Sequence, residues 1–144
     1  MSDERAVGSL VMLNFFAKLV GGDEDEQIHF RASGTYPKCR LQGRYRDQTI
    51  DVTATDFFQA LCQIREVLAG DGLYPQCHGS SLNVYSVGRP HKVDDGLRAY
   101  RLSMGRDVTP FDMVAVFDAC EASVLPATVR EQHDYYWQWL QSTA

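Results

Sequence analysis

Thr49-Ile50-Asp51-Val52-Thr53-Ala54-Thr55-Asp56-Phe57-Phe58-Gln59-Ala60-Leu61-Cys62-Gln63-Ile64-Arg65-Glu66-Val67-Leu68-Ala69-Gly70 is where the chain changes period. The first four residues read as a short strand. From Thr55 onward Phe57, Phe58, Leu61, Ile64, Val67 and Leu68 recur at spacings of three and four, the pattern of an amphipathic helix. Thr55 or Asp56 can cap its start, and Gly70-Asp71-Gly72 supplies the flexible residues that a helix C-terminus favours. An apolar helical stripe following strand-like sequence implies a sheet with a helix laid on its inner face.

Upstream, Ile28, Phe30 and Ala32 alternate with His29, Arg31 and Ser33 in the period of two of a half-buried strand. Gly34-Thr35-Tyr36-Pro37 marks a turn. Cys39, Leu41, Gly43 and Tyr45 then alternate with Lys38, Arg40, Gln42 and Arg44, which gives a third strand one basic face. Arg46-Asp47-Gln48 turns the chain into the short fourth strand. Residues 10–20 show no clean period and leave helix and buried strand both open. A strand is preferred, because Gly21-Gly22 and the acidic run Asp23-Glu24-Asp25-Glu26 form a turn into the next one. The floor for the helix is then Ile28, Phe30, Leu41 and Tyr45, and the arginines of the outer face read as solvated cross-strand charges.

Downstream, β-prone runs at 82–87 and 97–102 flank a polar loop and predict a hairpin. Thr109-Pro110-Phe111-Asp112 has the cap, first-turn proline and acidic residue of a short helix reaching Phe117 or Asp118. Thr128-Val129-Arg130-Glu131 is a capping box that opens a last helix carrying His133, Tyr135, Tyr136, Trp137, Trp139 and Leu140. Two Trp and two Tyr within five helical positions point all the way round, so at least one ring is expected in solvent or at an interface. The predicted fold class is α+β. It is a single domain over residues 1–144, with one antiparallel sheet (the N-terminal meander plus the central hairpin) packed against one long helix and two shorter helices.

Composition narrows the function classes. The 144 residues are 44% hydrophobic and 23% charged, ordinary values for a soluble domain, and no apolar run approaches the ~20 residues of a membrane span. The acidic Met1-Ser2-Asp3-Glu4-Arg5 start does not resemble a secretory signal, so a cytoplasmic location is expected. A net charge of -5 disfavours nucleic acid unless a local basic stripe overrides it.

Cys39, Cys62, Cys77 and Cys120 have no CxxC or zinc-like spacing and read as reduced thiols. His29, His78, His91 and His133 have no i, i+4 pairing, so no metal and no cofactor is expected. Phosphate-loop, dinucleotide and nucleophile-elbow motifs are absent, and Gly79 reads as a turn or a close backbone approach. Cys77-His78 is the one Cys-His neighbour pair. Adjacent residues on an extended chain point to opposite sides, so a Cys77 nucleophile would need a distant base, for which His91 is nearest in sequence. The loop at 86–96 carries Arg89, His91, Lys92, Asp94 and Asp95, charges of both signs suited to charge-assisted hydrogen bonds with a partner. Asp23, Glu24, Asp25 and Glu26 form the competing site, suited to a basic partner.

The order Cys77-x-Gly79-x-Ser81-x-Asn83-Val84-Tyr85, Gly96-Leu97-x-Ala99-Tyr100-x-Leu102, Gly105, a short helix ending Phe117-Asp118, and Pro126-Ala127-Thr128-Val129-x-Glu131-Gln132 with Tyr136, Trp139 and Leu140 resembles a family of small bacterial proteins. These are immunity proteins encoded beside Rhs-type and other polymorphic secreted toxins, and the resemblance spans residues 55–142. Where that family continues with a Pro-Ser-Gly-Met-like run after Asn-Val-Tyr, this chain has Ser86-Val87-Gly88-Arg89-Pro90. The departure falls in the loop expected to set partner choice. The resemblance implies no catalytic residues. It implies a cytoplasmic, non-enzymatic protein that binds and neutralises a cognate toxin, with homo-oligomers possible and neither nucleic acid nor membrane as partner. The alternatives are a small enzyme using Cys77 with a distant His, and a structural or adaptor subunit.

Overall fold

The computed structural model describes residues 12–88, 94–121 and 126–144. Its first half is the expected meander: β1 (Leu13–Val20), β2 (Gln27–Thr35), β3 (Lys38–Tyr45) and β4 (Gln48–Ala54). Residues 10–20 are therefore a strand over their described part from Leu13 onward. The strands pair antiparallel in the order β4-β3-β2-β1, and β5 (Tyr74–Pro75) is added beside β1 through Leu19 opposite Pro75. Arg46 and Asp47 both adopt positive φ, 48° and 59°, in the tight turn between β3 and β4. That left-handed pair matches the twist of the strands it joins.

Helix α1 (Phe57–Gly70) lies on the inner face of the meander. Its cap is Asp56, whose carboxylate accepts from the Gln59 amide at 2.8 Å. The expected floor is observed: Ile28, Phe30, Leu41 and Tyr45 are buried beneath Phe58, Leu61, Ile64 and Leu68. Tyr45 also donates its hydroxyl to Asp71 at 3.1 Å, which ties the end of β3 to the C-terminus of α1.

The second half departs from expectation in two ways. The central hairpin forms, with β6 (Val84–Tyr85) antiparallel to β7 (Arg98–Arg101), but it does not extend the meander. It takes β8 (Met113–Ala115) as its third strand and makes a separate sheet in the order β6-β7-β8. The predicted helix at 110–118 is the second correction. Its start is as read, with a Thr109–Asp112 capping box and Pro110 in first position, but it stops after one 3-10 turn, Pro110–Asp112. Met113-Val114-Ala115-Val116 is a β-prone run, and pairing with β7 satisfies its backbone better than a short exposed helix would. Two α-helices are thus described rather than three, and the last, α2 (Val129–Thr143), is as long as the first.

The stretch around Cys77 joins these parts. Cys77 bridges Ala119 and Ser81 bridges Pro126, while Gly79 donates to Val116 O at 2.8 Å and Ala127 to Ser80 O at 2.8 Å. A Cβ on Gly79 would come within 2.6 Å of Leu61 Cδ2 and Val116 Cγ1, so the close backbone approach is real. Phe117 completes the junction by stacking on Phe15 with ring centroids 4.7 Å apart.

Candidate functional site

The Cys77-His78 pair separates as an extended backbone dictates. Cys77 is fully buried, and its Sγ lies 3.6 Å from Ser80 Oγ. Burial pushes its thiol pKa up, against the smaller opposing pull of the Ser80 bond and Arg65. A thiol that is sealed and held protonated is a poor nucleophile. His78 opens a 3-10 turn and is half-buried, with its imidazole pKa lowered first by desolvation and then by Arg101. It lines a polar recess of about 220 Å³ with Ser81, Asn83, Arg101, Cys120 and Glu121. Burial raises the Cys120 thiol as well. Among the described residues no three His, Cys, Asp or Glu side chains converge as a metal site would require.

Of the loop predicted to bind a partner, Arg89, His91 and Lys92 lie outside the described residues. Asp94 and Asp95 are described, and both are used within the fold. The Asp94 carboxylate pairs with Arg98 four residues on. Asp95, at φ 61°, accepts from Thr35 Oγ1 at 2.8 Å and from the Tyr36 amide at 2.9 Å, while its carbonyl accepts from the Phe57 amide. It fastens the loop to the β2–β3 turn and to the start of α1.

The acidic run divides similarly. Asp23, Glu24 and Asp25 are exposed at the β1–β2 tip. Glu26 instead accepts from Arg46 and from the Asp23 amide, and these bonds lower its pKa from 4.5 to about 2. The last helix follows the sequence reading: Trp139 is 2% exposed and donates to Arg106 O, while Trp137 is 52% exposed. Tyr136 stacks on Tyr85 at 4.1 Å, holding α2 against the second sheet.

The arrangement with the most available chemistry is the outer face of the meander. The register aligns Phe16, His29, Arg44 and Thr49 in one row across four strands, and Asn14, Arg31, Gln42 and Asp51 in the next. Phe16 is 56% exposed and stacks on His29, with centroids 4.4 Å apart, and His29 Nε2 donates to Asn14 Oδ1 at 2.8 Å. A shallow cavity of about 300 Å³ opens between the two rows. Arg40 is neutralised by a two-pronged bond to Asp51, at 3.0 and 2.6 Å. Lys18, Arg31, Lys38 and Arg44 have no carboxylate partner among the described residues.

The sequence showed β3 as basic on one side, but it did not show that Arg31, His29 and Phe16 from two other strands share that face, with Arg31 and His29 lining one depression and Phe16 stacked beside it. Register between strands was the missing information, and it depends on the turns. No protein-family model matches the chain, and no curated protein matches it. No helix among the described residues is long and apolar enough to cross a membrane.

Proposed function

We propose that this protein is a cytoplasmic immunity protein that binds and neutralises a cognate bacterial toxin. One observation carries the reading: the outer face of β1–β4 presents cations with no carboxylate partner among the described residues, beside the exposed Phe16 ring, on strands rigid enough to dock with little loss of entropy. Binding sites are built this way, with an aromatic anchor inside a polar surround. The resemblance of residues 55–142 to immunity proteins supports the same reading, as does the burial of Cys77, which leaves the thiol enzyme without an accessible nucleophile. Phe111, 97% exposed on its capping-box turn, offers a further apolar contact.

The test is co-expression with the product of a neighbouring toxin-sized reading frame. The expected result is a complex that co-purifies and protects the host, with protection retained in Cys77→Ala and in His78→Ala. Protection without a complex, or its loss in either variant while the fold survives, would overturn the binding role in favour of catalysis.

A further inference from the structure

The outer face of the meander carries Lys18, Arg31, Lys38, Arg40 and Arg44 against the single carboxylate of Asp51, in a protein whose net charge is -5. A cationic face that size, on an otherwise acidic molecule, is the local reversal that charge complementarity exploits. Arg31 and Arg44 occupy diagonal positions on β2 and β3, since Arg31 faces Gln42 and Arg44 lies two residues further on. Diagonal neighbours on a sheet sit about 7–8 Å apart, a spacing at which two guanidinium groups can bracket one anionic side chain or hold two adjacent ones. Between them the cavity wall offers Asn14, Gln42 and Thr49 as neutral hydrogen-bonding groups and the His29 ring as a side.

We infer that this face is the docking surface for an acidic protein segment, with its carboxylates on Arg31 and Arg44 and an apolar side chain against Phe16. It rests on the toxin-binding reading for the partner's identity, and it names the chemistry that partner must present. Protein is favoured over nucleic acid by what surrounds the patch. The β1–β2 and β3–β4 turns lie at the same end of the sheet, where the Arg46–Glu26 pair joins them, and they carry Asp23, Glu24, Asp25 and Asp47. The three gaps between the four strands span only about 15 Å at roughly 4.8 Å per gap. A phosphodiester chain carries charge at every nucleotide and would run off the patch onto those carboxylates. A protein segment can instead present acids to the arginines and neutral or basic groups to the rim.

The test measures fluorescence anisotropy of a short labelled Glu- and Asp-rich peptide containing Leu and Tyr, with labelled single-stranded oligothymidylate alongside. The wild type is expected to bind the peptide with an affinity that falls as salt rises. Arg31→Glu with Arg44→Glu is expected to weaken it by at least roughly tenfold, Arg31→Gln with Arg44→Gln by less, and the charge-matched control Arg101→Glu with Arg130→Glu only slightly. Circular dichroism confirms that each variant is folded, and the Gln pair keeps the test decisive if the Glu pair is not. Absence of peptide binding to the wild type, equal weakening by both Glu pairs, or tighter, patch-dependent binding of the oligothymidylate would overturn the inference. With the co-expressed toxin-sized protein the two ideas separate: no complex with the wild type overturns the proposed function, whereas a complex that persists unchanged in the Arg31→Glu, Arg44→Glu variant overturns only the docking surface.

Discussion

Arg65 shows how one side chain holds the second half of the molecule to the first. It sits on α1, is 3% exposed, and donates to Gln132 Oε1 at 2.6 Å, Ala127 O at 2.8 Å and Gly79 O at 3.1 Å. Gln132 in turn donates to Gly79 O and Ser81 O, both at 2.9 Å. A planar fork reaches acceptors on three segments at once, which an ammonium cannot match. Arg65→Ala would leave buried carbonyls unpaired and is expected to lower stability by roughly 3–5 kcal/mol in urea denaturation, with Arg65→Lys recovering less than half. A loss under about 1 kcal/mol would mean that water enters and replaces the network. The thiols give a second prediction at this scale. Burial first, then the charges of Asp95 and Asp56, push Cys39 up to about 12, and Cys77 is sealed as described. A native-state thiol titration is expected to label Cys62 and Cys120 slowly, and Cys39 and Cys77 only on unfolding; rapid labelling of Cys77 would reinstate it as a candidate nucleophile.

Among the elements, the two hairpins of the meander are paired through β2 and β3 and are joined again by the Glu26–Arg46 ion pair at their shared end. The Glu26 carboxylate is depressed from 4.5 to about 2, by its bond to Arg46 first and by the Asp23 amide second. A carboxylate with a lowered folded-state pKa contributes stability that is fully present above its ordinary value and is lost as pH falls through the folded one. Acid titration of the urea midpoint should therefore show an increment that disappears between about 4.5 and 2 in the wild type and is missing in Glu26→Gln. Parallel curves for the two proteins would show that the pair contributes nothing, as many exposed pairs do. The meander was legible in the sequence because each strand buries one face, so the alternation of Ile28, Phe30, Leu41 and Tyr45 is unambiguous. The segment at 110–118 was not. Its capping chemistry states where a helical turn begins, not how far it runs, and the competing strand at Met113–Ala115 depends on a pairing with Arg98–Arg101 that no local signal announces. The site was less legible still: the Asp95 carboxylate reads as a loop charge until its bonds to Thr35 and Tyr36 show it fastening the fold.

Across the whole molecule, the distribution of charge distinguishes the surfaces that a partner could use. If the acidic tip were the docking site, reversing Asp23 and Asp25 would remove attraction for a basic partner and weaken the complex. If the meander's outer face receives an acidic segment, the same carboxylates, at the Arg44 end of the sheet, repel the incoming partner and their reversal assists it. Both residues are exposed, so the effect acts at range and is screened within about 10 Å at 0.1 M salt. Asp23→Lys with Asp25→Lys is therefore expected to raise the association rate of the acidic peptide several-fold at low ionic strength, leave the dissociation rate nearly unchanged, and lose its advantage as salt is added. Stopped-flow measurement across a salt series reads all three quantities. Slower association in that variant, with the fold intact, would instead place the encounter surface at the tip of the β1–β2 hairpin and require a basic partner.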